Sequence, residues 1–185
     1  TALAVAEAVH TVAAISLDLK WPNDLLLDEH KVGGILCESS LTSPDNPVVV
    51  IGIGLNVNVH RDLFPEDLRP IATSFFESTH RLIDRNRLLA QLLQELEESL
   101  DELRAHGPSR LLQAYQHRCT TLGRQVRVDL GGGEELLGTA VAITADGALQ
   151  VRPSADTGGK SQPLVEIRAG DVIHVRRWRN GPDAK

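Results

Sequence analysis

Val5, Val9 and Val12 recur at helical spacing with alanines between them, which predicts a tightly packed helix over residues 2–14. Leu17, Leu19 and Trp21 then alternate with Asp18 and Lys20, the period of a strand. Pro22-Asn23-Asp24 breaks that strand, and the short run Leu25-Leu26-Leu27 follows. Asp28-Glu29-His30 is a polar turn, and residues 31–39 return as a second strand, so the pair reads as a β-hairpin. Residues 40–47 carry the Ser, Thr, Pro, Asp and Asn of a loop. Val48 to Val59 is strongly apolar and β-branched, which predicts a strand buried on both faces. Residues 60–80, with Pro65 and Pro70, are expected to be an irregular loop that covers or rims something. Asp84 is placed to cap a helix whose apolar stripe is Leu89, Leu92, Leu93, Leu96, Leu100 and Leu103. That stripe is expected on the core. Gly107-Pro108 ends the helix, and a shorter one over 109–119 carries Leu111, Leu112 and Tyr115.

From about Leu122 the pattern changes to short alternating runs: 126–128, 140–143, 149–151 and 172–175. They are separated by Gly131-Gly132-Gly133, by Asp146-Gly147, a strong hairpin signal, and by the polar loop 154–161. About five short strands predict a small β-barrel or SH3-like module, with a domain boundary near residue 121.

Composition narrows this picture. Of 185 residues 42% are apolar and only 3% aromatic, so the core must be built from Leu, Val, Ile and Ala. The net charge of −6 argues against a nucleic-acid surface, although Arg176-Arg177-Trp178-Arg179 could touch one. Cys37 and Cys119 have no CxxC or Cys/His spacing, so both are expected to be buried free thiols in a reducing cytosol. The seven histidines show no metal-ligand spacing. There is no apolar run of about 18 residues, and the opening residues fit a signal peptide poorly. The chain opens directly in a helical pattern, as if cut from a longer one.

Three groupings could carry chemistry. Lys20, Asn23, Asp24 and Lys31 put two cations beside an amide and a carboxylate, which suits a site for a phosphate ester. The alternative is an exposed hairpin with ordinary Asn-Asp turn chemistry. Gly33-Gly34 inside a strand marks either a ligand lying against the backbone or a β-bulge. Gly52 and Gly54 leave bare backbone on one strand face shared with Asn56 and Asn58, either a ligand wall or a surface packed by a helix. It is neither a P-loop nor a dinucleotide fingerprint.

Taken in order, KWPNDLLLDEHKVGGILCES at 20–39, VVVIGIGLNVN at 48–58, Ala72-Thr73-Ser74, the Leu-rich helix after Asp84-Arg85-Asn86, and Gly138, Gly147 and Leu149 resemble the biotin–protein ligases (biotin–[acetyl-CoA-carboxylase] ligases). The resemblance implies an α+β fold. A mixed sheet flanked by helices, part of a catalytic domain like that of class II aminoacyl-tRNA synthetases, would occupy 1–121. An SH3-like β-barrel would occupy 122–179 and a tail 180–185. It implies biotin and ATP as substrates with Mg2+, biotinyl-5′-AMP as intermediate, and transfer to a lysine of a biotin carboxyl carrier protein in a biotin-dependent carboxylase. A homodimer and a cytoplasmic location are also implied. By match to the motif, Lys31 is the positive clamp at the acyl–phosphate bridge and contacts biotin, and Asp24 is the general base for the incoming lysine. Lys20 and Asn23 lie on the phosphate side. Gly33, Gly34, Ile35, Gly52, Gly54 and Leu55 line the cleft, and Asn56 reaches the adenylate. Loop 60–75 would cover the adenine, with Phe64, Phe75 or Phe76 as its aromatic. Family members carry, upstream, a Ser-Thr-Asn segment and a Gly-Arg-Gly-Arg-type loop, and this sequence contains neither. A truncated, inactive binding or scaffold piece is therefore the alternative reading.

Overall fold

The structure is a computed structural model that describes residues 1–40, 48–154, 163–168 and 171–174. The chain divides into two compact units, Thr1–Cys119 and Thr120–Lys185. In the first, helix α1 (Ala2–Ala13) packs along helix α3 (Arg85–His106). Ala4, Val5, Ala8 and Val9 are buried, and the small alanines let the two helices approach closely. Strands β1 (Asp18–Lys20), β2 (Asp24–Leu27), β3 (His30–Ser40) and β4 (Val48–Leu55) form an antiparallel sheet in the order β1-β2-β3-β4. Among the described residues parallel contacts occur only as isolated bridges, Leu19 with Cys119 and Lys31 with Ala72. The turn between β2 and β3 holds Asp28 and Glu29 at φ 50° and 64°, the left-handed pair that a tight hairpin requires. One face of the sheet sends Leu19, Leu25, Val32 and Ile35 into a core shared with α1, Phe75, Leu88 and Leu92.

Three expectations fail in this unit. β4 is not buried on both faces: Val48, Val49, Val50 and Ile51 are all exposed. β4 ends the sheet order, so its apolar side chains lie on an edge strand with nothing beyond it among the described residues. The leucine stripe of α3 is only partly on the core. Leu88 and Leu92 are buried and Leu96 packs beside them, whereas Leu89, Leu93, Leu100 and Leu103 face solvent. A single helix docked on α1 buries one narrow stripe, and two adjacent stripes both read as apolar in the sequence. Cys37 is exposed on the sheet, and only Cys119 is buried.

The loop after β4 is more ordered than its sequence suggests. Arg61–Leu63 forms a 3-10 turn, and Phe75–Thr79 a short helix, α2. The Ser74 hydroxyl caps α2 by accepting from the Glu77 amide at 3.0 Å. Ser74-Phe75-Phe76-Glu77 is a capping-box spacing that could have foretold this helix. Asp84 caps α3 as expected, accepting from the Asn86 and Arg87 amides, and Gly107 at φ 72° ends it. Helix α4 (Ser109–Arg118) closes the unit and is tied to α1 by an Arg118–Glu7 ion pair at 2.7 Å.

The second unit holds β5 (Gln125–Gly131), β6 (Glu134–Ile143), β7 (Leu149–Pro153), β8 (Val165–Ile167) and β9 (Asp171–His174). They form an antiparallel sheet in the order β8-β7-β6-β5-β9, over a core of Val126, Val128, Leu149, Val151 and Val172. Among the described residues β8 and β9 do not pair, so the strands form a sheet with two ends and not a closed barrel. Asp146-Gly147 lies in the β6–β7 turn, with Gly147 at φ 87°. Residues 40–47, 154–161 and 176–185, read above as loops and tail, fall largely or wholly outside the described residues. No helix among the described residues is long and apolar enough to cross a membrane.

Candidate functional site

The strand register assembles the site. Lys20 stands opposite Asp24, Asp24 opposite Gly34, and Gly34 opposite Gly54, giving one row across all four strands. Residues paired across strands share a face, and this is the face away from the helices. One step along the same face, Leu36 stands opposite Gly52. Gly34, Gly52 and Gly54 thus leave a floor of bare backbone beside Asp24. Among the described residues a Cβ added at Gly52 or Gly54 would approach nothing nearer than 3.7 Å, so no described helix packs there.

Lys31 joins this face through a β-bulge. Strict alternation from buried Ile35 would send Gly33 and Lys31 to the core. Leu25 pairs with Gly33 but Leu26 pairs with Lys31, so Val32 is the extra residue of a bulge. Val32 is buried, and Lys31 turns outward over Gly34 to meet the Asp24 carboxylate at 2.5 Å. Both readings of the paired glycines therefore have a physical basis. A Cβ on Gly33 would stand 2.5 Å from the Gly54 carbonyl oxygen, so Gly33 is required by close strand approach beside the bulge. Gly34 instead leaves room for the Lys31 side chain, whose Nζ would lie 3.6 Å from an added Cβ.

Asp24 is held between two cations. Its Oδ1 pairs with Lys31, and its Oδ2 accepts from Lys20 Nζ at 3.0 Å. The side chains of Lys20 and Asp24 are 20% and 15% exposed, whereas Lys31 is 50% exposed, so Lys31 is the member that can reach a ligand. Burial alone would push the Asp24 carboxyl up, but hydrogen bonds and charge from the two lysines outweigh it and hold the group below its ordinary value. A depressed carboxylate pKa contributes stability above the unfolded value, about pH 3.9, and loses it as pH falls through the folded one. Asp24→Asn is therefore expected to flatten the acid side of the stability curve. Urea unfolding at pH 5, 4 and 3 would read this, and parallel losses in both chains would refute it.

Asn23 braces the corner. Its Nδ2 donates to the Ile35 carbonyl at 2.7 Å, and the Ile35 amide donates back to the Asn23 carbonyl at 3.0 Å. Asn56 and Asn58 brace the loop. Asn56 Nδ2 donates to the Thr73 carbonyl at 3.0 Å, and Asn58 bonds both the amide and the carbonyl of Ile83. Their donors are thus committed to the chain's own backbone. The segment Ala72-Thr73-Ser74 is laced to β3 at Lys31 itself: the Lys31 amide donates to the Ile71 carbonyl, and the Thr73 amide to the Lys31 carbonyl. Phe75 and Phe64 are buried. Phe76 stacks on His60 with centroids 4.4 Å apart, and of the three phenylalanines it alone keeps some exposure. Ile35 faces the core, and Leu55 packs against it. A cavity of about 240 Å³ lies between the end of α1 and the start of α3, beside Val12, Ile15, Leu82 and Arg87, and shares no residue with this face. Among the described residues no three His, Cys, Asp or Glu side chains cluster as metal ligands. One buried polar group that the sequence did not flag is the Tyr115 hydroxyl, on a side chain packed against the core; its spacing marks only a core position.

Known proteins resemble this chain along most of its length. Residues 1–58 match the Biotin/lipoate A/B protein ligase family, and residues 121–175 match the Biotin protein ligase C terminal domain. The biotin–[acetyl-CoA-carboxylase] ligase of Mycobacterium tuberculosis is 38% identical over 177 residues, covering 94% of this chain and 60% of that protein. The crystal structure of the biotin protein ligase from Aquifex aeolicus superposes with a TM-score of 0.79 at 26% identity, over 94% of this chain and 72% of that one. The same ligase in complex with biotin and ATP gives 0.75 at 27%, over 95% and 68%. The first unit thus has the fold of the biotin/lipoate-type protein ligases. Within that class the relatives it matches are biotin protein ligases, and it spans 60% of the length of the Mycobacterium tuberculosis one.

Proposed function

We propose that this chain carries the charge-stabilising half of a biotin–protein ligase site, in an ATP-dependent enzyme that forms a carbon–nitrogen bond. In the first step the biotin carboxylate attacks the α-phosphate of ATP, giving biotinyl-5′-AMP and pyrophosphate. In the second, the ε-amine of a lysine on a biotin carboxyl carrier protein attacks the mixed anhydride and AMP leaves. The observation that carries this reading is the bulge that turns Lys31 onto a glycine floor beside Lys20 and Asp24.

Both steps develop negative charge beside the acyl–phosphate bridge, and a fixed ammonium there stabilises it. Lys31, the exposed member, fills that role and touches biotin; Lys20 and Asn23 stay on the phosphate side. Asp24 takes the proton of the incoming amine when Lys31 has moved to the substrate. Gly34, Gly52 and Gly54 form the floor, Gly33 and Ile35 set the strand geometry, and Leu55 lines its edge. Asn56 acts through the Ala72–Ser74 segment that it anchors. Mg2+ does not fit as a protein-held ion, because the one carboxylate of the row is saturated by two ammonium groups. It would enter on the triphosphate, and no step here runs through it.

In this reading residues 1–121 are the catalytic part, 122–179 an SH3-like domain and 180–185 a tail. The carrier belongs to acetyl-CoA carboxylase or another biotin-dependent carboxylase, and the enzyme works in the cytoplasm. A homodimer through the β4 edge is supported by the exposed row Val48 to Ile51, which an identical strand would cover. Calorimetry of the 185-residue chain tests the site. Biotin binding that is lost in Lys31→Ala is expected. Absence of binding by the unmutated chain would favour the scaffold reading.

A further inference from the structure

Lys31 is held in place by a neighbour that is not a strand. β4 ends at Leu55, which stands opposite Gly33, so β4 stops short of Lys31. The segment 71–73 takes over the side of β3 that β4 leaves open. The Lys31 amide donates to the Ile71 carbonyl at 2.8 Å, and the Thr73 amide donates to the Lys31 carbonyl at 2.9 Å. Lys31 and Ala72 thereby form a parallel bridge. A strap with so few ladder bonds opens easily unless something else fastens it.

Asn56 is the fastening. It follows the last residue of β4, and it bonds both of the elements that set Lys31. Its backbone amide donates to the carbonyl of Val32, the bulged residue, at 2.8 Å. Its Nδ2 donates to the Thr73 carbonyl at 3.0 Å. Its own carbonyl accepts from the Phe75 amide at 3.0 Å, just beyond the strap. One residue thus ties the bulge that turns Lys31 outward to the strap that holds the Lys31 backbone.

We infer that Asn56 is a positioning residue for Lys31: its side-chain amide pins the 71–73 strap against β3 and so fixes the backbone from which the Lys31 ammonium reaches Asp24. A cation stabilises developing charge best when its carrier is fixed beforehand, and here the carrier is a strand end that would otherwise fray. The part Lys31 plays in the chemistry rests on the function proposed above; its positioning by Asn56 does not. Asn58 supplies an internal control. It ties the same loop further along, with two bonds to Ile83, whose surroundings share no residue with the glycine-floored face.

The test is a carboxyl 13C NMR titration of Asp24 in the 185-residue chain. Lys20 and Lys31 both bond this carboxylate and hold its midpoint down, so the midpoint reports how well the Lys31 ammonium is placed. Asn56→Ala is expected to raise it by about 0.3 to 0.7 pH unit, a fraction of the worth of one hydrogen bond to a charged group. Lys20 stays in place throughout. In a Lys31→Ala background the same substitution moves nothing, because the ammonium through which it acts is gone. Asn58→Ala leaves the midpoint where it is. Hydrogen exchange needs no variant and serves if Asn56→Ala fails to fold: the Asn56 side-chain amide is protected together with the Lys31 and Thr73 backbone amides, as parts of one clasp. Four results overturn the inference: an Asn56→Ala titration that superimposes on the parent, a shift that persists without Lys31, an equal shift in Asn58→Ala, or a protected Lys31 amide beside a freely exchanging Asn56 side chain. None of these measurements reads ligase activity, so failure of this inference and failure of the proposed function are separable.

Discussion

Lys31→Ala is expected to lower biotinyl-adenylate formation by the complete protein about 10²- to 10³-fold, the usual loss when one preorganised charge-stabilising donor is removed. The fold should survive. The Lys31 side chain is half exposed, and its ion pair with Asp24 contributes at most about 1 kcal/mol after solvent screening. Lys20 still neutralises the carboxylate at 3.0 Å. Lys31→Arg is a sharper control. It keeps the charge, but a broad planar guanidinium does not fit where Gly34 allows a compact ammonium to pass. Activity should therefore stay low in both variants while melting temperatures remain near that of the unmutated protein. Pyrophosphate release measured with biotin and ATP reads the first step alone. Adenylate formation at the parent rate in Lys31→Ala would remove Lys31 from the chemistry.

Much of this arrangement is legible in the sequence, and the reason is physical. Charged residues, prolines and glycines interrupt apolar runs at fixed intervals, and a sheet converts those intervals into neighbours. Lys20, Asp24, Gly34 and Gly54 could be named from the pattern because antiparallel pairing brings every second residue to one face. The facing of Lys31 was not legible, because it depends on one inserted residue, and Val32 looks like any other strand valine. Burial was the weakest reading. Val48 to Ile51 is as apolar as a buried strand, yet it lies at the sheet edge, and an apolar run records only that something could cover it. The α3 leucines fail for the same reason: sequence marks a surface that can be buried, and packing partners decide whether it is. Asn56 and Asn58 were read as continuing the glycine-bearing strand as a ligand wall, but β4 ends at Leu55 and the loop they hold takes their amides.

Gly33→Ala is expected to destabilise the first unit by about 3 kcal/mol, the upper part of the range for forcing a methyl group into a filled space. The added Cβ would stand 2.5 Å from the Gly54 carbonyl oxygen, 2.8 Å from Leu55 Cδ2 and 3.2 Å from Leu25 Cδ1. The leucine ends can rotate away. The carbonyl cannot, because it belongs to the strand paired with β3, and moving it parts β3 from β4 where the bulge has already used the slack. A fall in melting temperature of about 10 °C follows from a loss of that size. The neighbouring glycine separates this effect from chemistry. At Gly34 an added Cβ makes ordinary contacts, 3.5 Å to Lys31 Cε and 3.8 Å to the Asn23 carbonyl, so Gly34→Ala should melt near the parent temperature. It should still weaken biotin binding, because the methyl group sits under the Lys31 ammonium. Two adjacent glycines of one strand thus carry opposite signatures: stability is lost at Gly33, and ligand affinity at Gly34. Equal melting temperatures for the two alanine variants would contradict the strand geometry, and a Gly34→Ala chain that binds biotin as tightly as the parent would contradict the glycine floor. The pair of measurements tests the fold and the site independently, on residues that the sequence alone presents as one motif.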